Sequence, residues 1–172
     1  MVRVVSPKAL AGLILMSFPA AGWAAPEVAT VKSEARLLLI KPLTLVKTDD
    51  MDFATLGVTA SGTATIDPIA GTMSVTGGVT HLAGTPSPAR YAGAASKRTV
   101  GNIRVPNQPI QIRRVGGTES LTVSNFTLDG QDKRSLAASA SFRFAVGARI
   151  TVPAGTLDGT YAGEFDVTVN YP

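Results

Sequence analysis

From Tyr161 to Tyr171 the chain alternates with period two. Tyr161, Gly163, Phe165, Val167, Val169 and Tyr171 are apolar or small, and Ala162, Glu164, Asp166, Thr168 and Asn170 stand between them. Successive side chains of a β-strand point to opposite faces, so the pattern predicts one long strand, dry on one side and wet on the other. The same period recurs through most of the chain, and no apolar spacing of 3–4 residues interrupts it after residue 25. It predicts strands over Leu43–Lys47, Met51–Leu56, Gly78–Leu82, Thr99–Val105, Ile110–Val115, Ser120–Leu128, Ala138–Val146 and Arg149–Val152. Gly62–Ile66 and Thr72–Thr76 flank Asp67–Gly71, where Pro and Gly stand as a hairpin turn requires. Ala83–Ser96, rich in Gly, Pro and Ala, carries no clear pattern. Short strands at this density read as an all-β antiparallel β-sandwich. No cysteine is present, so packing and ladder hydrogen bonds must hold the fold and thiolate chemistry is excluded.

The first residues carry a different signal. Arg3 and Lys8 precede an apolar run, Ala9–Phe18, followed by Pro19 and small residues ending in Gly22-Trp23-Ala24. This is the layout of a secretory signal peptide over residues 1–24, with cleavage expected after Ala24. The run is about half of the roughly 20 residues that span a bilayer, so no stable membrane anchor is expected after cleavage. Residues 25–172 are then expected to form a single β-sandwich domain, exported to the periplasm, the cell surface or the medium. Loss of Arg3 and Lys8 lowers the formal charge from +4 to +2. Arg113-Arg114 and Lys97-Arg98 are isolated pairs rather than a basic stripe, so no nucleic-acid partner is indicated.

Groups that could carry chemistry are sparse. His81 is the lone histidine; it lies among glycines, away from any nucleophile motif, and reads as a strand or turn residue. Asp49, Asp50 and Asp52 lack the glycine and distal glutamate of a calcium loop and read as a solvated turn. Asn125-Phe126-Thr127 fits a glycosylation sequon but falls inside a strand pattern. No cofactor, metal or enzymatic activity is indicated.

Three stretches in order carry a resemblance: KPLTLVKTDDMDFATL (Lys41–Leu56), DPIAGTMSVTGGVTHLAG (Asp67–Gly84) and VPAGTLDGTYAGEFDVTVNY (Val152–Tyr171). Together they resemble the exported bacterial family called domain of unknown function 4402. The ending is also similar to that of spore-coat-U-like proteins and chaperone–usher pilins. Gly159 is the fourteenth residue from the Pro172 end and Tyr171 the second, with alternation between them, as in pilin subunits. That resemblance implies an immunoglobulin-like, pilin-like sandwich lacking one strand. A periplasmic chaperone, and then the N-terminal segment of a like subunit, would fill the gap. Gly159, Tyr161, Phe165, Val167, Val169 and Tyr171 would form the assembly strand.

The chain holds a candidate donor strand within residues 29–40. Ala29, Val31, Ala35, Leu37 and Leu39 share one face, with Ser33 among them, and Thr30, Lys32, Glu34 and Arg36 share the other. A slip of one residue would bury Lys32, Glu34 and Arg36 instead, so the register is expected to be firm. Two functions fit these residues. One is a structural subunit that assembles by strand exchange into a surface fibre or coat. The other is a self-complete secreted sandwich, with residues 29–47 as its first strands, that binds a ligand.

Overall fold

The computed structural model describes residues 36–39, 41–136 and 140–171. Among them the chain forms β1 (Thr44–Asp49), β2 (Thr55–Ile66), β3 (Met73–Ala83), β4 (Ala89–Ala94), β5 (Val100–Arg104) and β6 (Ile110–Arg114). It continues with β7 (Ser120–Leu128), β8 (Lys133–Ser135), β9 (Ser141–Val152), β10 (Tyr161–Ala162) and β11 (Thr168–Asn170). Every pairing is antiparallel. The larger sheet runs β1-β4-β9-β7-β6-β10, with the β2–β3 hairpin attached through β2 to β9. A second sheet of three short strands has the order β11-β5-β8. The molecule is an all-β antiparallel sandwich.

β9 organises the larger sheet. Its first half pairs with β4 (Phe144 with Tyr91) and its second half with β2 on the same edge (Ile150 with Ala64). Its other edge is taken by β7, with Val123 opposite Ile150. Phe142, Phe144, Val146, Ala148, Ile150 and Val152 point inward and are all buried, the output of strict alternation in this segment. On the outer face Ala145 and Gly147 are buried too. A Cβ on Gly147 would overlap the Ile66 carbonyl and lie 2.7 Å from Pro68 Cδ, so glycine lets the β2–β3 turn close over the strand. That turn is capped by Asp67, whose Oδ1 accepts from Ile69 N–H (2.7 Å) and Ala70 N–H (3.1 Å).

The core divides along β9. Near Ser141, Phe142, Phe144 and Val146 meet Tyr91 from β4, while Ile103, Leu136 and Val169 close over them from the side of the smaller sheet. Tyr91 stacks on Phe144 with ring centroids 5.1 Å apart. Near Val152, Ala148, Ile150 and Val152 join Ala64, Val79, Leu121 and Val123 in a second cluster. Asp129 ties the β7–β8 connection to the spine, accepting from Ala145 N–H (2.9 Å) and Arg134 Nη1 (3.0 Å).

The sequence-based elements are revised at several places. The expected single strand over Tyr161–Tyr171 is two: β10 pairs with β6 in the larger sheet, β11 pairs with β5 in the smaller, and residues 163–167 join no ladder. Its alternation nevertheless persists, because Tyr161, Phe165, Val167, Val169 and Tyr171 are more covered than their neighbours; only Gly163 on the dry side is exposed. Met51–Leu56 is not a strand of its own. Asp52 makes an isolated bridge to Ser87, Ala54 has φ of 58°, and β2 begins at Thr55. Gly78–Leu82 belongs to the longer β3, which meets only β2; the pairing shifts register between Val58 and Gly62 of β2, opposite Gly78. Ala83–Ser96 contains β4. The expected signal peptide (1–24) and Ala29, Val31 and Ala35 of the candidate donor lie outside the described residues.

Because Phe144 packs against both Tyr91 and Phe142 under the smaller sheet, Phe144→Ala is expected to lower unfolding free energy by about 3–5 kcal/mol in chemical denaturation. Ile69→Ser, on an exposed turn, is expected to stay within about 0.5 kcal/mol of the parent.

Candidate functional site

The two halves of the core are not covered alike. Three short strands lie over the first cluster, but none lies over the second. Instead, two flanks leave a groove of about 800 Å³ between them. Its floor is the inner face of β6, β7 and β9, with Ile110, Ile112, Leu121, Val123, Ile150 and Val152. One flank is residues 50–58 and the other residues 156–165, with Leu82 also lining the site. A shallower depression of about 400 Å³ shares Ile110 and Phe165 with the groove and continues it past Arg104 and Thr168. The rim carries carboxylates from Asp50, Asp52 and Asp158.

Each flank is held away from the ladder for a local reason. On the first, Asp52 and Ser87 exchange two backbone hydrogen bonds of 2.9 Å, and Asp52 Oδ1 accepts from Ala54 N–H at 2.7 Å. This turns the chain out of β1 before β2 begins. Asp50 is occupied by the Lys47 ammonium, which raises the pKa of that lysine. The carboxylates read as a solvated turn therefore do structural work. His81 is exposed on β3, opposite Leu56.

The second flank is stapled to the β6–β7 turn. Val115 N–H donates to Thr160 O (2.8 Å), and the Tyr161 hydroxyl donates to Leu157 O (2.8 Å). Gly159, at φ 146°, lets the Arg114 side chain lie against the backbone; a Cβ there would come 2.9 Å from Arg114 Cδ. Arg114 Nε in turn donates to Glu119 Oε2 at 2.7 Å. That bond, with the Glu119 and Thr118 backbone N–H groups, lowers the Glu119 pKa to about 2. Phe165 then crosses between the sheets and packs on Phe126, with centroids 5.0 Å apart.

The residues expected to form an assembly strand thus have different places. Gly159 and Tyr161 shape the groove wall, and Phe165 lines it. Val167 packs against the first cluster and Val169 is buried in it. Tyr171 lies away from the groove, in a ring of three hydrogen bonds. Ser96 N–H donates to its hydroxyl (2.9 Å), the hydroxyl donates to Lys41 O (3.0 Å), and Lys41 N–H donates to Ser96 Oγ (2.6 Å). Leu37 and Leu39 of the candidate donor belong to no strand and are 81% and 84% exposed. The floor residues and the Lys41–Ser96 half of the ring were not singled out from sequence. A strand face that is apolar in Leu121, Val123, Ile150 and Val152 looks the same whether or not a strand lies over it.

Tyr171→Phe removes one donor and one acceptor from the ring and is expected to cost about 1–2 kcal/mol of stability, measured by denaturant titration. The Glu119 carboxyl is expected to titrate near 2 by NMR, and Arg114→Leu to return it toward 4.5. Because the folded pKa is the depressed one, the stabilisation is complete above about 4.5 and is lost as pH falls through about 2.

Comparison with curated proteins and comparison with solved structures both find no match. The family described as "Domain of unknown function (DUF4402)" matches residues 43–171, which take in every strand from β1 to β11 and both flanks of the groove. The chain belongs to that family.

Proposed function

We propose that this chain is an exported structural subunit that assembles by strand exchange into a surface fibre or coat. In this reading Ala29–Leu39 of one copy lies in the groove of another. The observation that carries it is the groove itself: a floor of strand residues from β6, β7 and β9, walled by two flanks and with no strand laid over it among the described residues. Exposed edges with apolar surface beside them recruit another strand, whose backbone supplies the ladder and whose alternate side chains fill the pockets. Val31, Leu37 and Leu39 together would contribute about 5–9 kcal/mol of burial before ordering costs. The leader-like residues 1–24 support export, and Gly159 and Tyr171 stand at pilin-like offsets. A periplasmic chaperone would shield the same groove before assembly.

The rival reading, a self-complete sandwich that binds a ligand, takes residues 29–47 as first strands. Part of that span does pair within its own chain, because Thr44–Asp49 is β1 on β4. The donor is therefore confined to the residues before Lys41.

A chain starting at Lys41 retains every described strand and is expected to capture a peptide of Ala29–Leu39 in calorimetry. Aspartate at both leucine positions, Leu37→Asp with Leu39→Asp, is expected to weaken capture by at least about 100-fold. The chain starting at Ala25 is expected to assemble as its concentration rises. Failure of the shorter chain to capture the peptide, with the longer one monomeric at every concentration, would sink the reading.

A further inference from the structure

The outer face of the larger sheet, turned away from both core clusters, carries a pattern of its own. Ala64, Val123 and Ile150 point inward, so the residues beside them on β2, β7 and β9 point out. One row of side chains crosses five strands. Thr76 of β3 pairs with Thr63 of β2, Thr63 with Thr151 of β9, Thr151 with Thr122 of β7, and Thr122 with Gln111 of β6. Four strand spacings of about 4.8 Å make this row about 19 Å wide. A second row lies two residues further along the strands, about 7 Å away: Ser74, Thr65, Arg149 and Ser124. None of these residues is buried.

The rows are prearranged. Thr63 Oγ1 and Thr76 Oγ1 share a hydrogen bond of 2.8 Å, Gln111 Nε2 donates to Thr122 Oγ1 (2.9 Å), and Arg149 Nε donates to Thr65 Oγ1 (3.1 Å). β-Branched side chains have few χ1 states and these bonds restrict them further, so little is left to order when a ligand binds. Polar capacity remains in one O–H of the Thr63–Thr76 pair, in the Thr122 O–H and in the Gln111 amide oxygen. The charge is one-sided. Arg149 stands in the second row, Arg143 lies further along β9 on the same face, and Arg113 lies two residues past Gln111, opposite Ser120. None of the three makes an ion pair among the described residues. No carboxylate stands in either row. Asp67, two residues past Thr65, has its Oδ1 engaged with the N–H groups of Ile69 and Ala70. The carboxylates of the groove rim and its continuation lie on the inner side of the sheet.

A matching ligand has acid groups for the guanidinium groups, hydroxyls for the rows, and an extended shape that lies flat. Arginine forks suit carboxylate and sulfate alike. Neither row holds an aromatic ring on which a base could stack, or a large apolar side chain that could enter a bilayer. We infer that this face binds an acidic polysaccharide. The inference does not rest on strand exchange, although copies joined in any way would repeat the face and multiply a weak site.

The test uses the chain starting at Ala25, diluted until monomeric, so that its outcome bears on this face and not on assembly. Polygalacturonate and dextran sulfate are the carboxylated and sulfated probes; neutral dextran, single-stranded DNA and phosphatidylglycerol vesicles stand beside them. The parent is expected to bind at least one acidic glycan more tightly than any of the other three, with affinity falling as salt rises. Arg113→Gln with Arg149→Gln is expected to weaken that binding at least about tenfold. Thr63→Val with Thr122→Val removes hydroxyls without changing charge, and is expected to weaken it about threefold or more with the salt dependence unchanged. Lys97→Gln with Lys133→Gln takes the same charge from the smaller sheet and the loop before it, and is expected to leave binding within about twofold of the parent. No binding to either acidic glycan overturns the inference. An equal loss in the lysine variant overturns it too, as does binding of neutral dextran, DNA or vesicles as tight as that of the glycan. A threonine variant that binds like the parent overturns the part given to the hydroxyl rows.

Discussion

β9 is hydrogen-bonded along both edges and packed on both faces over Phe144–Ala148, and the two core clusters both draw on it. This double engagement is the constraint on which the rest is arranged. A strand buried on both sides must be met by chain above and below. Below, Gly147 admits the β2–β3 turn. Above, the requirement is met twice in different ways: by β5, β8 and β11 over one half, and by two mostly non-ladder flanks over the other. The first cluster is built on the rings of Tyr91, Phe142 and Phe144 and the second on aliphatic side chains, and they differ in cover.

The groove follows from that asymmetry. Its floor is as apolar as a finished core, yet its walls are segments turned out of the sheet by Asp52 on one side and by the Gly159 turn on the other. The groove keeps Leu121, Val123, Ile150 and Val152 buried at its floor. Strand addition suits it because backbone pairing and side-chain burial are satisfied together. The register of any added strand would be set by period two, since the wrong phase would bury charge.

Much of this was legible in the alternation. β1, β6 and β7, and β9 across its two predicted parts, lie close to where the pattern places them. Strong contrast between faces leaves little choice. β4 was missed because its inward residues are Ala89, Tyr91 and Gly93, with Ala92 and Ala94 between them, too small to mark a dry side. β8 was missed because Lys133-Arg134-Ser135 has no pattern of its own and is a strand only by virtue of β5. The split of the terminal strand was invisible for a different reason. Alternation reports which side of the chain is dry, and that side stays dry as the backbone passes from β6 to β5. Which backbone it pairs with leaves no mark. The groove was hidden for the same reason: its floor residues are apolar whether or not a strand lies over them.

β3 is a long free edge of the larger sheet, and Gly77, at φ 70°, bends it part-way along. An unbroken edge of eleven residues would template stacking with any passing strand. Opposite Gly78, residues 59–61 of β2 bulge out of the pairing and twist the hairpin locally. The bend and the bulge opposite it make this edge a poorer template for a passing strand than a flat one would be.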